Sequence, residues 1–206
     1  MLTLSQIVYG VRDLDAAAQR IAALGLTVVE GGRHPGLGTA NYIVPLGESY
    51  FEILGVVNRQ EAERNPFGRA LLEQIAAGDR LVCWSLRTDA IEAIASKLGL
   101  TAEKRSRRRP DGTLLTWRAA GLSLALQMGW LPFFMQWDDP ANYPGILPVQ
   151  HAIEPRGVAW LEVHPGDPAQ LQRWLGDAQV PLRIGNGPPG VQRVGLSTER
   201  GLLILP

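Results

Sequence analysis

A single cysteine, Cys83, stands in this 206-residue chain. No internal disulfide can form, and a reducing, cytoplasmic setting is expected. Its apolar flanks favour a buried structural thiol over a nucleophile. Net charge is lacking too: twenty basic side chains balance twenty acidic ones. Bulk nucleic-acid binding, which needs a basic footprint, is therefore excluded. No run approaches the ~18 apolar residues of a membrane span. Met1-Leu2-Thr3-Leu4-Ser5 offers neither a basic leader nor an apolar core, so no secretory signal is expected. Also missing are G-x-G-x-x-G between strand and helix, a P-loop, C-x-x-C, H-E-x-x-H and G-x-S-x-G. Dinucleotide, nucleotide, zincin and serine-hydrolase chemistries lose their sequence support with them.

What remains is ordinary globular material, 46% apolar and 19% charged, with enough length for a real core. Within it one stretch concentrates turn chemistry and polar groups: Gly31-Gly32-Arg33-His34-Pro35-Gly36-Leu37-Gly38-Thr39-Ala40-Asn41. Its glycines and proline forbid a helix and predict a sharp turn between two strands. Downstream, Tyr50-Phe51-Glu52-Ile53-Leu54 reads as a strand with a carboxylate at its centre. Such a carboxylate is costly unless it is paired or coordinates something.

Taken in order, Leu4–Val11 alternates as a strand, and Asp13 caps a helix over Leu14–Leu24 that Gly25 ends. Strands are predicted over Leu26–Glu30, Ala40–Leu46 and Tyr50–Val57. A helical connector follows over 58–78, starting at Asn65-Pro66. The pattern then repeats: strand Arg80–Arg87, helix to Leu98 stopped by Gly99, and strands Leu100–Arg107, Leu114–Ala119 and Leu122–Met128. Residues 129–156 read as an aromatic, proline-rich crossover. A third, shorter copy occupies 157–206, with its helix starting at Asp167-Pro168. The division is thus 1–57, 58–78, 79–128, 129–156 and 157–206, all within one unit. The fold class is α+β: repeated β-α-β-β-β modules forming a curved mixed sheet around a cavity, with helices on the outer face. Which modules pair is left open.

The run "QIVYGVRDLDAAAQRI…GLTVVEGGRHPGLGTANYIVPLGESYFEILGV" resembles the glyoxalase-like domain of the vicinal oxygen chelate superfamily. "LPFFMQW" resembles it as well. The resemblance implies paired β-α-β-β-β modules and often a divalent metal held by the first and last strands of each module. Carried over residue by residue, the first-strand position falls on Gln6, where relatives commonly have histidine. The last-strand acid falls on Glu52. The second module supplies Val82 and Leu124. Either no cofactor or a weakly bound divalent cation is implied, with Glu52 its one good ligand.

Glu52 and His34 are the candidate catalytic residues. Glu52 is read as a base, or as a metal ligand, with a salt bridge to Arg33 or Arg87 as the structural alternative. His34 and Asn41 are read as steadying a developing oxyanion. Gln6, Thr39, Asn41, Trp84 and Arg107 are the candidate ligand-binding residues. Thr39 and Asn41 share strand parity. Arg107 lies in the basic run Lys104–Arg109, which is either a solvated hairpin or an anion-binding rim. Trp84 is placed in a pocket wall. His151 and His164 are read as structural. The expected function is binding of a small polar or aromatic metabolite, with lyase or isomerase chemistry at a carbonyl. The alternative is a non-catalytic, sequestering binder. The expected partner is a small-molecule ligand, with homodimer formation left open, and neither nucleic acid nor membrane.

Overall fold

The computed structural model describes residues 1–206. Two modules build its centre. The first runs β1 (Thr3–Val11), α1 (Leu14–Ala22), β2 (Val29–His34), β3 (Thr39–Pro45) and β4 (Tyr50–Val56). Helices α2 (Arg59–Glu63) and α3 (Pro66–Gln74) lead to the second: β5 (Arg80–Arg87), α4 (Ile91–Leu98), β6 (Ala102–Arg108), β7 (Leu114–Ala120), α5 (Leu122–Met128) and β8 (Pro132–Trp137). Their strands close a barrel in the order β1-β4-β3-β2-β6-β7-β8-β5. The first and last strands of each module pair in parallel, and β1 pairs antiparallel with β5. The opposite seam, β2 with β6, is a single bridge between Arg33 and Arg108.

Local chemistry sets these elements. Asp13 accepts from Ala16 N at 3.0 Å and starts α1, and Asn65 accepts from Gly68 N at 2.7 Å to start α3. Gly99, in the left-handed region at φ 67°, ends α4. Side chains then sort by strand parity into two cores. Ile7, Tyr9, Phe51, Ile53, Trp84 and Leu86 pack outward under α1 and α4. Val8, Ile43, Leu54, Cys83, Phe133 and Met135 fill the barrel, which Leu71 of α3, Ile75 just past its end, and Ala125 and Leu126 of α5 help to cover.

The third segment comprises β9 (Pro155–His164), α6 (Pro168–Leu175), β10 (Leu182–Ile184), β11 (Gly190–Thr198) and β12 (Gly201–Leu205). It repeats the element order but not the pairing, since its sheet runs β10-β9-β11-β12. Leu161, Val163, Leu171 and Trp174 continue the outer core, with Trp174 tilted against Phe134 at 5.6 Å between centroids. The linking segment is strapped to the first module through His151. Its Nδ1 accepts from Thr27 N at 2.9 Å, so its Nε2–H donates to Pro45 O at 3.0 Å. His164 sits beside Glu162 at 3.1 Å. No helix is long and apolar enough to cross a membrane.

Three local expectations are corrected. Leu122–Met128 is a helix, not a strand. Leu122, Ala125 and Leu126 fall at helical spacing, the segment lacks β-branched residues, and left-handed glycines, Gly121 and Gly129, bound it at φ 80° and 72°. The second module's last strand is β8, inside the stretch read as crossover. Its proline is tolerated because it occupies the first strand position. Finally, β2 begins later than expected and continues through His34, confining the turn to residues 35–38. The register slips between Glu30 and Gly32, so Gly31 bulges and the strand carries on past it.

Candidate functional site

The barrel encloses a narrow cavity of about 80 Å³. Gln6 (β1), Asn41 (β3), Tyr50 and Glu52 (β4), Arg107 (β6) and His34 (end of β2) all reach it. Strand parity puts them there. Gln6 and Val8 share a face, as do Asn41 and Ile43, and Tyr50, Glu52 and Leu54. Phe67, Trp117, Phe133 and Trp137 supply the aromatic wall. Trp117 and Trp137 lie 5.1 Å apart at a 33° tilt.

The polar groups form one directed chain. Tyr50 Oη donates to Gln6 Oε1 at 2.5 Å, and Gln6 Nε2 donates to Glu52 Oε2 at 2.5 Å. From the other side Arg107 Nη1 donates to Asn41 Oδ1 at 2.8 Å, and Asn41 Nδ2 donates to Glu52 Oε1 at 2.5 Å. Each carboxylate oxygen is thus met by an amide, that of Asn41 oriented by Arg107, which can only donate, and that of Gln6 favoured by Tyr50. Glu52 is 6% exposed, Arg107 3%. Burial raises the proton affinity of Glu52; the Asn41 hydrogen bond, then the Arg107 charge, work against that rise. Burial, then Glu52, push the Tyr50 hydroxyl well above its usual range. The same two causes raise the Cys83 thiol. Half-buried His34 has its Nδ1 3.0 Å from Thr39 Oγ1. Desolvation, then Arg107, lower its pKa to about 3, so the ring is neutral at physiological pH.

A close approach of backbone to side chain makes room for this chain. A Cβ on Gly31 would fall 2.1 Å from Asn41 Oδ1 and 2.2 Å from Arg107 Nη1. The bulge therefore carries a glycine where Arg107 crosses β2 to reach Asn41.

Among the expected site residues, the structure brings Gln6, His34, Asn41, Glu52 and Arg107 together. Thr39 is buried behind His34 and steadies it rather than lining the cavity. Trp84 is not in the wall. Cys83 takes the inward position, so the next side chain points out, and the Trp84 indole donates to Trp130 O at 3.1 Å in the outer core. Neither Arg33 nor Arg87 pairs with Glu52; Arg87 stacks over Tyr143 at 4.4 Å. Asn41 Oδ1 accepts from Arg107 and one Nδ2–H donates to Glu52, which makes Asn41 a strut between the two. Tyr50 escaped the sequence reading, although it lies two residues before Glu52 and so shares its face.

The register also fixes the positions where the fold would hold a metal. Across β1 and β5, Gln6 faces Ser85 and Val8 faces Cys83. The modules' helices start at Leu14 and Ile91, and the same offset along the chain matches Gln6 with Cys83 and Val8 with Ser85. Val8 lies opposite Glu52, and Ser85 opposite Phe133. The four positions are thus Gln6, Glu52, Cys83 and Phe133, correcting Val82 and Leu124. They comprise an amide oxygen held by Tyr50, a carboxylate already accepting two hydrogen bonds, a thiol that burial keeps protonated and a phenyl ring. That set does not fit a divalent cation. Nor does any group of three or more His, Cys, Asp or Glu side chains gather elsewhere.

Two paired β-α-β-β-β modules closing one barrel around a cavity define the vicinal oxygen chelate architecture. The family model described as a glyoxalase-like domain matches residues 6–179, and the chain belongs to that family. Among solved structures it is similar to a hypothetical protein from Staphylococcus aureus, at TM-score 0.72 and 16% identity over 93% of this chain and 88% of that one. It is less similar to a Mn(II)-bound glyoxalase from Novosphingobium aromaticivorans (TM-score 0.49, 13% identity, 98% and 80% covered). A methylmalonyl-CoA epimerase from Mycobacterium tuberculosis is also similar (TM-score 0.42, 15% identity, 65% and 85% covered). At these identities the likeness speaks for the fold alone. No curated protein sequence matches the chain.

Proposed function

We propose that the barrel cavity binds a small polar or aromatic metabolite and that Glu52 moves a proton at a carbon beside its carbonyl group. One observation carries this reading: a buried carboxylate, aimed by two oriented amides, faces an apolar cavity. Desolvation strengthens it as a base, and fixed donors hold it in place without occupying all its lone pairs. In the step, a Glu52 oxygen takes the proton. The C–H electron pair becomes the C=C bond of an enolate, and the carbonyl oxygen gains the negative charge. His34, neutral and on the same cavity, has a ring nitrogen to donate to that oxygen if its proton sits on Nε2. Return of the proton to the other face or to a neighbouring carbon gives an isomer; loss of a β-substituent gives a lyase product.

The test is deuterium uptake from solvent at the carbon next to the carbonyl, followed by proton NMR over a panel of small carbonyl compounds. Wild type should accelerate uptake for at least one compound, and Glu52→Gln should lower that acceleration by about 100-fold or more, the usual worth of a positioned base. Exchange that survives Glu52→Gln rules out the assigned role.

The tilted Trp117–Trp137 pair in the wall favours a second reading, a sequestering binder that stacks its ligand and leaves it unchanged. Binding without exchange, indifferent to Glu52→Gln, would select it.

A further inference from the structure

We propose that the ligand is a small monocarboxylate carrying its carbonyl next to the acid group, a 2-oxo acid in chemical class, and that Arg107 receives its carboxylate. This deepens the proposed function and rests on it in placing the ligand in the barrel cavity.

Arg107 is the most deeply buried cation of the basic run, and it is under-partnered. Its neighbours find acceptors: Arg105 pairs with Glu103, Arg108 Nη1 donates to Gly112 O at 2.9 Å, and Arg109 Nη2 donates to Asn142 O at 3.2 Å. Arg107 makes one hydrogen bond, Nη1 to Asn41 Oδ1, and enters no ion pair. A guanidinium carries five N–H donors and keeps its charge in proteins. Arg107 Nε and Nη2 have no protein acceptor and are not fully enclosed by protein, so they stay open toward the cavity that Arg107 lines. Glu52 does not absorb them, because Asn41 stands between, accepting from one and donating to the other. What stays open is the fork that matches a carboxylate with two parallel hydrogen bonds.

Charge balance sets the number of acid groups. Glu52 and Arg107 supply one charge of each sign to the cavity, and Arg105, which also lines it, is balanced by Glu103. A single ligand carboxylate can share the Arg107 guanidinium, whereas a second would meet only that neutralised pair, with Arg105 Nε its one unpartnered buried donor. The apolar wall of Val8, Ile43, Leu54, Phe133 and Met135 suits the ligand's remaining carbons. With the carboxylate on Arg107, the adjacent carbonyl oxygen lies near the same positive charge, which favours the enolate that Glu52 would generate.

The experiment measures binding of pyruvate, 2-oxobutyrate and phenylpyruvate, each beside its primary amide, by calorimetry and thermal shift. Wild type, Arg107→Gln, Arg107→Lys and Glu52→Gln are compared, with deuterium uptake recorded alongside. At least one acid should bind ten-fold or more tighter than its amide. Arg107→Gln, which can still donate to Asn41, should abolish that preference; Arg107→Lys should keep part of it, having charge without the fork. Glu52→Gln should bind the acid as well as wild type or better while losing exchange. Acid and amide binding alike, no acid binding at all, or an acid preference that survives Arg107→Gln would each overturn the inference. Should Arg107→Gln fail to fold, the wild-type acid-to-amide ratio decides. Acid-selective binding without exchange would instead sink the role given to Glu52 and leave the anion site standing.

Discussion

Gly31→Ala is the sharpest perturbation of the site, because a single methyl group would land on the hydrogen bond that holds Arg107. The backbone at Gly31 lies outside the left-handed region, so alanine can adopt it. Were there space, the substitution should stabilise the protein by about 0.4–1 kcal/mol through loss of unfolded-state entropy. There is no space: the new Cβ would sit 2.1 Å from Asn41 Oδ1 and 2.2 Å from Arg107 Nη1. Overpacking of this kind costs about 1–3 kcal/mol, and losing a hydrogen bond to a charged group about 1.5–3 kcal/mol. A net loss of about 3 kcal/mol corresponds to a fall in Tm of roughly 6–12 °C for a chain of this size. Differential scanning calorimetry and urea unfolding both read it. A second arm separates this clash from a general intolerance of β2. In Asn41→Ala the obstructing amide is gone, so Gly31→Ala should cost at least ~1 kcal/mol less there than in wild type, a coupling typical of side chains in contact. Stabilisation by Gly31→Ala alone, or strict additivity in the cycle, would refute the geometry assigned to the bulge.

Other outcomes follow from the same groups. The folded-state pKa of Glu52 is raised, so its contribution to stability is full below the unfolded value near ~4.3 and is lost as pH rises through the folded value; the Tm of Glu52→Gln should therefore gain on wild type as pH is raised from that point. His34 has the opposite sign, with a pKa lowered to about 3: its contribution is present above ~6.5 and fades as pH falls, so His34→Gln should blunt the loss of Tm between neutral and mildly acid pH. Cys83, buried with a raised pKa, should resist a thiol reagent in the native state and label fully in urea; fast native labelling would contradict its enclosure. Trp84→Phe should cost about 1–2 kcal/mol through the lost indole hydrogen bond and volume while leaving ligand affinity unchanged, as measured by calorimetry.

Much of the fold was legible because two periodicities alternate cleanly. Gln6-Ile7-Val8-Tyr9 and Phe51-Glu52-Ile53-Leu54 show the strand period, and Asp13, Asn65 and Asp167 mark helix starts that the structure retains. Legibility failed where one composition serves two periods. Leu122-Ser123-Leu124-Ala125-Leu126 alternates like a strand, yet its helix-forming residues between two glycines settle it as α5. β8 was hidden by its own proline and aromatics, and with it went the correct partner of Glu52, so that Leu124 stood where Phe133 belongs. Trp84 was misplaced by one residue of parity, which in a strand is the difference between the two faces. For the site, Glu52, Asn41, Gln6 and Arg107 could be named, and Asn41 could be set beside Glu52 on one sheet face from adjacent strands and parity, but the link to Arg107 could not. That Arg107 meets Asn41 depends on a bulge in β2 and on a seam bridged once between modules, and neither is written in the local sequence of β6.

The polarity of the chain of hydrogen bonds explains why these residues belong together. Its two ends differ in kind. Arg107 can only donate, so Asn41 must turn its oxygen toward it and its amide N–H toward Glu52. Tyr50 can donate or accept, so the orientation of Gln6 is preferred and not forced. Glu52 therefore has one oxygen rigidly held through Asn41 and one held by an amide able to turn over if the carboxylate is protonated. A proton arriving at Oε2 can be accommodated by rotation of Gln6 and of the Tyr50 hydroxyl, without disturbing Arg107. The positions that would carry a metal in this architecture hold instead an adjustable amide, a fixed carboxylate, a thiol and a phenyl ring. The positive charge of the cavity comes from a different strand, β6, reached through the gap that Gly31 leaves open.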